Sequence, residues 1–111
     1  MQTLMVLRRA PSAAMLTQCL HLLQALSAAR FNVNGVFLLG EAVALAHPDC
    51  TLAPKAVLLN WALEQKLMLY CCGRAAAQHG VDVNQLTAPF VPGGYFKLLT
   101  MLQDSARLVE I

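Results

Sequence analysis

Three short segments of this chain are apolar at almost every position: TLMVLR (3–8), VNGVFLL (33–39) and LMLYC (67–71). Strands buried on both faces lose the in–out alternation of a half-exposed sheet and read as continuous runs of this kind. Each run is followed by a stretch of helical character. Strands that alternate with helices need crossover connections, which build a mainly parallel sheet with helices on both faces. This alternation limits the fold more than any single residue does.

Local signals place the elements. Pro11 and Ser12 open a first helix that runs to about residue 29, with Ser12 as its N-cap. Asn32 and Asn34 mark the turn before the second strand, which Gly40 ends. A short helical stretch over 41–46 and a loop over 47–53 follow. Pro54 then starts a second full helix carrying Val57, Leu58, Trp61, Ala62 and Gln65. The third strand leads into a helix over 73–79 closed by Gly80. Residues 81–92 read as irregular, with room for one short extra strand, and Gly93-Gly94 precede a last helix near 95–103. ARLVEI (106–111) is a closing strand. The expectation is a single α/β domain over 1–111, in three layers, with a mainly parallel sheet of four to five strands.

Composition narrows the class of function. Charged residues make up 13% of the 111 and hydrophobic ones 58%, against roughly 25% charged in an average soluble domain. So much apolar surface excludes disorder. A net charge of +2, with basic residues scattered apart from Arg8-Arg9, argues against direct nucleic-acid binding. So few charges cannot cover a small domain, so another subunit or a membrane is expected to cover part of it. The twenty residues between Arg9 and Arg30 carry no formal charge. Yet Thr17, His21, Gln24 and Ala28 recur as a weakly polar helical stripe, and Ser12, Gln18 and Ser27 add polar atoms that lipid would leave unsatisfied. A helix buried on most faces is expected there, with no membrane association. The first seven residues lack the basic region of a secretory leader. A cytoplasmic location is expected, in which Cys19, Cys50, Cys71 and Cys72 remain thiols.

In an open parallel sheet, reactive groups gather at the carboxyl ends of the strands. Three such ends are legible: Arg9-Ala-Pro-Ser12, Gly40-Glu-Ala42 and Cys71-Cys-Gly-Arg74. Cys72 falls at a strand–helix junction, where unpaired backbone N–H groups stabilise a thiolate and lower a thiol pKa from about 8.5. Arg74 adds to that effect. A thiolate attacks disulfides, persulfides and electrophilic carbon; the competing reading makes both cysteines apolar filler. Adjacent strand side chains point to opposite faces, which makes Cys71 the core member of the pair. Other signals are weaker. His47-Pro-Asp-Cys50 has zinc-binding residue types but too few ligands, and it reads as a surface loop. His21, His79 and Trp61 read as structural. Gly93-Gly94 has neither a strand before it nor a third glycine, so it is no dinucleotide fingerprint. No metal or organic cofactor is expected.

The segment Cys72-Gly-Arg-Ala-Ala-Ala-Gln-His-Gly80-Val81 resembles the part of DsrE/TusD-type sulfur-relay proteins where a strand ends in cysteine and an Ala-rich helix follows. Three further stretches match in the same order. They are Val36-Phe-Leu-Leu-Gly-Glu-Ala-Val43, Trp61 in the helix before the cysteine strand, and residues 90–98 with the closing 104–111. Together these span nearly the whole chain. The resemblance implies a Rossmann-like fold, homo- or hetero-oligomers (trimers or hexamers), and sulfane sulfur carried as a persulfide. It also implies sulfur donor and acceptor proteins as partners through thiols, in tRNA thiolation or sulfur oxidation. By position the persulfide-bearing residue is Cys72. Glu41 and Ala42 depart from the usual Asp and Gly of the TusD type, His79 from its Arg, and the loop over 45–54 is short. The expected activity is a sulfurtransferase-like persulfide relay. The alternatives are a non-catalytic subunit of such an oligomer and, ranked last, a small-molecule-binding module.

Overall fold

A computed structural model describes residues 2–111. The chain forms β1 (Gln2–Leu7), α1 (Ala13–Ala28), β2 (Asn32–Leu38), α2 (Ala53–Glu64), β3 (Leu69–Cys72), α3 (Gly73–Gln78), β4 (Phe90–Gly93), α4 (Tyr95–Asp104) and β5 (Arg107–Glu110). Two 3₁₀ turns, Gly40–Ala46 and Val83–Gln85, complete it. The five strands lie in the order β4-β3-β2-β1-β5, and every neighbouring pair is parallel. The extra strand over 81–92 is therefore real, and it forms one edge of the sheet.

Strand order decides which face each helix covers. From β1 the chain steps outward through β2 and β3 to β4, so right-handed crossovers put α1, α2 and α3 on one face. It then returns to the far side of β1, so α4 covers the opposite face. The two cores follow this division. Met5, Leu7, Val36, Leu38, Leu69 and Cys71 pack beneath α1 and α2, with Leu16, Leu23, Leu58 and Ala62 above them. Leu4, Val6 and Phe37 face the other way against Met101 of α4, with Tyr70 and Leu98 alongside. The fold is thus a three-layer, Rossmann-like α/β sandwich whose second outer layer is one ten-residue helix.

The N-terminal signals act as expected. Ser12 caps α1, its hydroxyl accepting from the Met15 N–H at 3.1 Å, and proline stands in the first turn of α2. Helix α1, however, is not buried on most faces. Met15, Leu16, Cys19, Leu20, Leu23 and Leu26 are buried, while the stripe through Thr17, His21, Gln24 and Ala28 meets solvent. A helix packed on one sheet face needs only one apolar side. The third strand starts later than its apolar run. The Leu67 N–H is spent on the Ala62 carbonyl at 2.8 Å, closing α2, and Lys66 before it takes a left-handed φ of 55°. The same closure recurs with Arg30 (φ 64°) after α1 and Gly80 (φ 70°) after α3.

Helix α4 is held close to the sheet. The register of β1 against β2 slips between Thr3 and Leu4, leaving Asn34 as the extra residue of a bulge. The Asn34 side-chain amide donates to Ser105 Oγ at 2.7 Å, and the Ser105 hydroxyl donates to the Met101 carbonyl, which ties down the end of α4. Asn34 therefore belongs to β2 and not to the preceding turn. Beside it a Cβ on Gly35 would stand 2.8 Å from both Met101 Cε and the Tyr70 ring. Only glycine admits that approach.

Candidate functional site

The carboxyl ends of β1, β2 and β3 lie side by side, so residues far apart in sequence share one rim. There a cleft of about 520 Å³ opens between the sheet edge and the start of α4. Arg8 enters it from the end of β1, Leu39 and Gly40 from the end of β2, and Cys72, Arg74, Ala75 and Gln78 from β3 and α3. Tyr95 and Leu98 of α4 form the opposing wall. All three strand ends named from the sequence thus converge, although the first contributes Arg8 and not residues 9–12. Glu41 stays exposed outside the lining.

Cys72 lines this cleft, but the strand–helix junction does not leave it open to solvent. It is 9% exposed and packs at the margin of the main core, in the same cluster as Ala75. It is the N-cap residue of α3 by position, yet its side chain makes no capping hydrogen bond, and α3 is only six residues long. The cleft and its two arginines, more than the helix end, define the surroundings of this sulfur.

The remaining thiols are different. Cys71 points into the main core, and burial first, then the neighbouring Cys72, push its pKa up to about 11. Cys19 is fully buried; its Sγ donates to Met5 Sδ at 3.6 Å, and burial pushes its pKa up to about 12. Both are protonated fillers at neutral pH. Cys50 is half-buried beside a separate depression with Pro11, Ala44, His47, Asp49, Thr51 and Leu52.

Other sequence candidates have structural roles. His47 Nδ1 accepts from the Asp49 N–H at 3.0 Å, while Lys55 Nζ donates to the carbonyls of His47 and Cys50 at 3.1 Å each, which pins this loop. Among the described residues no group of three or more His, Cys, Asp or Glu is placed to hold a metal ion. His21 is exposed on α1 beside a shallow depression lined by Ala13, Ala14, Thr17, Gln18 and Leu22 that contains no thiol. His79 caps α3, and Trp61 is half-buried against the main core. One correction concerns Gly93-Gly94: a strand does precede it, because Gly93 ends β4. The third glycine is still missing.

Arg8, Tyr95 and Leu98 escaped sequence reasoning. Arg8 was hidden because sheet order is needed to show that only β2 separates β1 from the cysteine strand. Tyr95 and Leu98 read simply as helix. The signal that could have found them is the return crossover, since a strand placed beyond β1 obliges α4 to lie over the face opposite α1 and α2.

An all-parallel sheet with a thiol-lined cleft at its carboxyl rim defines a class of small α/β proteins built to work at the strand ends. Within that class the chain belongs to the DsrE/DsrF-like family, whose model matches residues 1–111, a family generally associated with sulfur relay. The fold is similar to that of the ychN protein from E. coli, with a TM-score of 0.80 and 18% identity over 100% of both chains. No curated protein matches the sequence. No helix among the described residues is long and apolar enough to cross a membrane.

Proposed function

We propose that this protein is a sulfur carrier that holds sulfane sulfur as a persulfide on Cys72. The observation that carries the reading is the position of Cys72, the one thiol lining the cleft where three strand ends meet. Membership of a sulfur-relay family supports it. In the loading step the Cys72 thiolate, its proton lost to solvent, attacks the terminal sulfur of a donor persulfide. A bond forms between Cys72 Sγ and that sulfur, the donor S–S bond breaks, and its electron pair leaves on the donor as a thiolate. The transferred sulfur keeps its hydrogen, and no external oxidant or reductant is needed. An acceptor thiolate reverses the sequence. The acceptor stage belongs to tRNA thiolation or sulfur oxidation, in the reducing cytosol where free thiols persist.

Loading with a persulfide donor followed by intact-mass measurement tests this. Wild type should gain 32 Da, roughly one sulfur atom, and Cys72→Ser should gain none, a loss of at least about a hundredfold in loading rate. Equal uptake by Cys72→Ser overturns the assignment. One observation favours a second reading, a non-catalytic subunit: Cys72 is only 9% exposed. Native thiol titration separates the two, because an entombed Cys72 labels no faster than Cys19, whereas a carrier's Cys72 labels well ahead of Cys19 and Cys71.

A further inference from the structure

Resting on the sulfur-carrier reading, we infer that the donor matched to this cleft is a small anion, a low-molecular-weight persulfide whose retained end carries negative charge. The lining holds two cations, Arg8 and Arg74, and no carboxylate. Arg74 stands two residues beyond Cys72 on the first turn of α3, and Arg8 enters from the end of β1, across β2 from the cysteine strand. Leu39, Ala75, Leu98 and the ring of Tyr95 supply apolar walls, which raise the effective field of both guanidinium groups above its value in open water.

Among the described residues the acid paired with this array is Glu110, whose Oε1 lies 3.0 Å from Arg8 Nε, while Glu41 follows the lining residue Gly40 and is exposed. A guanidinium has five N–H donors in a planar fork, so a contact at Nε orients Arg8 and leaves donors free for a second anion. Among the described residues Arg74 makes no ion pair. The cleft is therefore a cationic vestibule in front of a sulfur atom. Its volume of about 520 Å³ suits a small ligand, within the roughly 300–1,000 Å³ of such sites. Cys72 Sγ bonds to the sulfane sulfur, the donor S–S bond breaks, and the departing thiolate takes the electron pair. The arginines hold the donor's charged end at the start and the added negative charge of the leaving group at the end.

The test compares the persulfides of 3-mercaptopropionate, an anion, and cysteamine, a cation of similar size. Each loading rate on the full-length protein is read by intact mass and divided by the rate with a free model thiol, which removes the donors' intrinsic reactivity. Wild type should favour the anionic donor by about tenfold. Arg74→Gln and Arg8→Gln should each lower that ratio about threefold, and the double variant should bring it near one, as expected for two partly exposed charge pairs. Glu110→Gln should raise the ratio, and added salt should lower it. A wild-type ratio of one, with both donors loading Cys72, overturns the anionic donor and leaves sulfur transfer standing. Failure of both donors, or equal loading of Cys72→Ser, overturns sulfur transfer and this inference together.

Discussion

Four cysteines in one small chain occupy three distinct environments, and the differences come from where neighbouring side chains point. Cys71 lies within the main core, while Cys72, the last residue of β3, touches the margin of that core and lines the cleft. That much was legible, because a strand running into a helix fixes the faces of adjacent residues. The degree of burial was not, since the walls around Cys72 come from α4 and two other strand ends. Buried thiols have a consequence for stability. Cys19 and Cys71 have raised pKa values, about 12 and about 11, so above pH 9 the unfolded chain loses protons that the folded chain retains. Folding free energy is then fully present below pH 9 and falls as pH rises toward 11–12, by about 1.4 kcal/mol per pH unit for each thiol. Urea unfolding at pH 8 to 11 should show this decline, and Cys19→Ala should make it shallower while lowering stability at pH 8. An unchanged slope in Cys19→Ala would contradict the assignment.

Helix boundaries show how local chemistry and tertiary demand divide the work. Ser12 and the proline of α2 mark their N-termini in the sequence because a cap acts within one turn. Two C-termini were less legible. Arg30 and Lys66 take the left-handed conformation that Gly80 takes after α3, without being glycine. For a residue with a Cβ that conformation costs about 1 kcal/mol. Lys66→Gly should therefore raise the unfolding free energy by about 0.5–1 kcal/mol, the attraction of the lysine charge for the helix end offsetting part of the gain. Chemical denaturation measures it, and a destabilised variant would show that the lysine contact outweighs the strain. Strand β4 was the least legible element. Its four residues (FVPG) contain a proline and a glycine, which local propensity disfavours in strands. An edge position tolerates both because only one side of the strand must pair.

The whole molecule carries an asymmetry that no window of sequence displays. Three helices shield one face of the sheet and a single helix shields the other, a division set by strand order. The outer side of that helix is apolar: Tyr95, Phe96 (87% exposed), Leu99 and Leu102 face solvent, as does Leu108 on β5. The alternating apolar runs disclosed the layers, and the low charge content disclosed that some surface is left uncovered. Neither disclosed where. We predict from this exposed apolar side that the chain self-associates through it: light scattering at micromolar concentration should give a mass well above 12.0 kDa. Phe96→Glu together with Leu99→Lys should shift the protein toward monomer, because exposed charges oppose burial of such a patch. A wild-type monomer would leave these side chains without a role. The thin cover also bears on how the molecule can change. Met101, Leu98 and the Asn34–Ser105 link moor α4 to the sheet, while Tyr95 and Leu98 of that same helix wall the thiol. New side chains along its ten positions can reshape the mouth of the cleft and leave the larger core intact, so the lining can diverge while the scaffold stays the same.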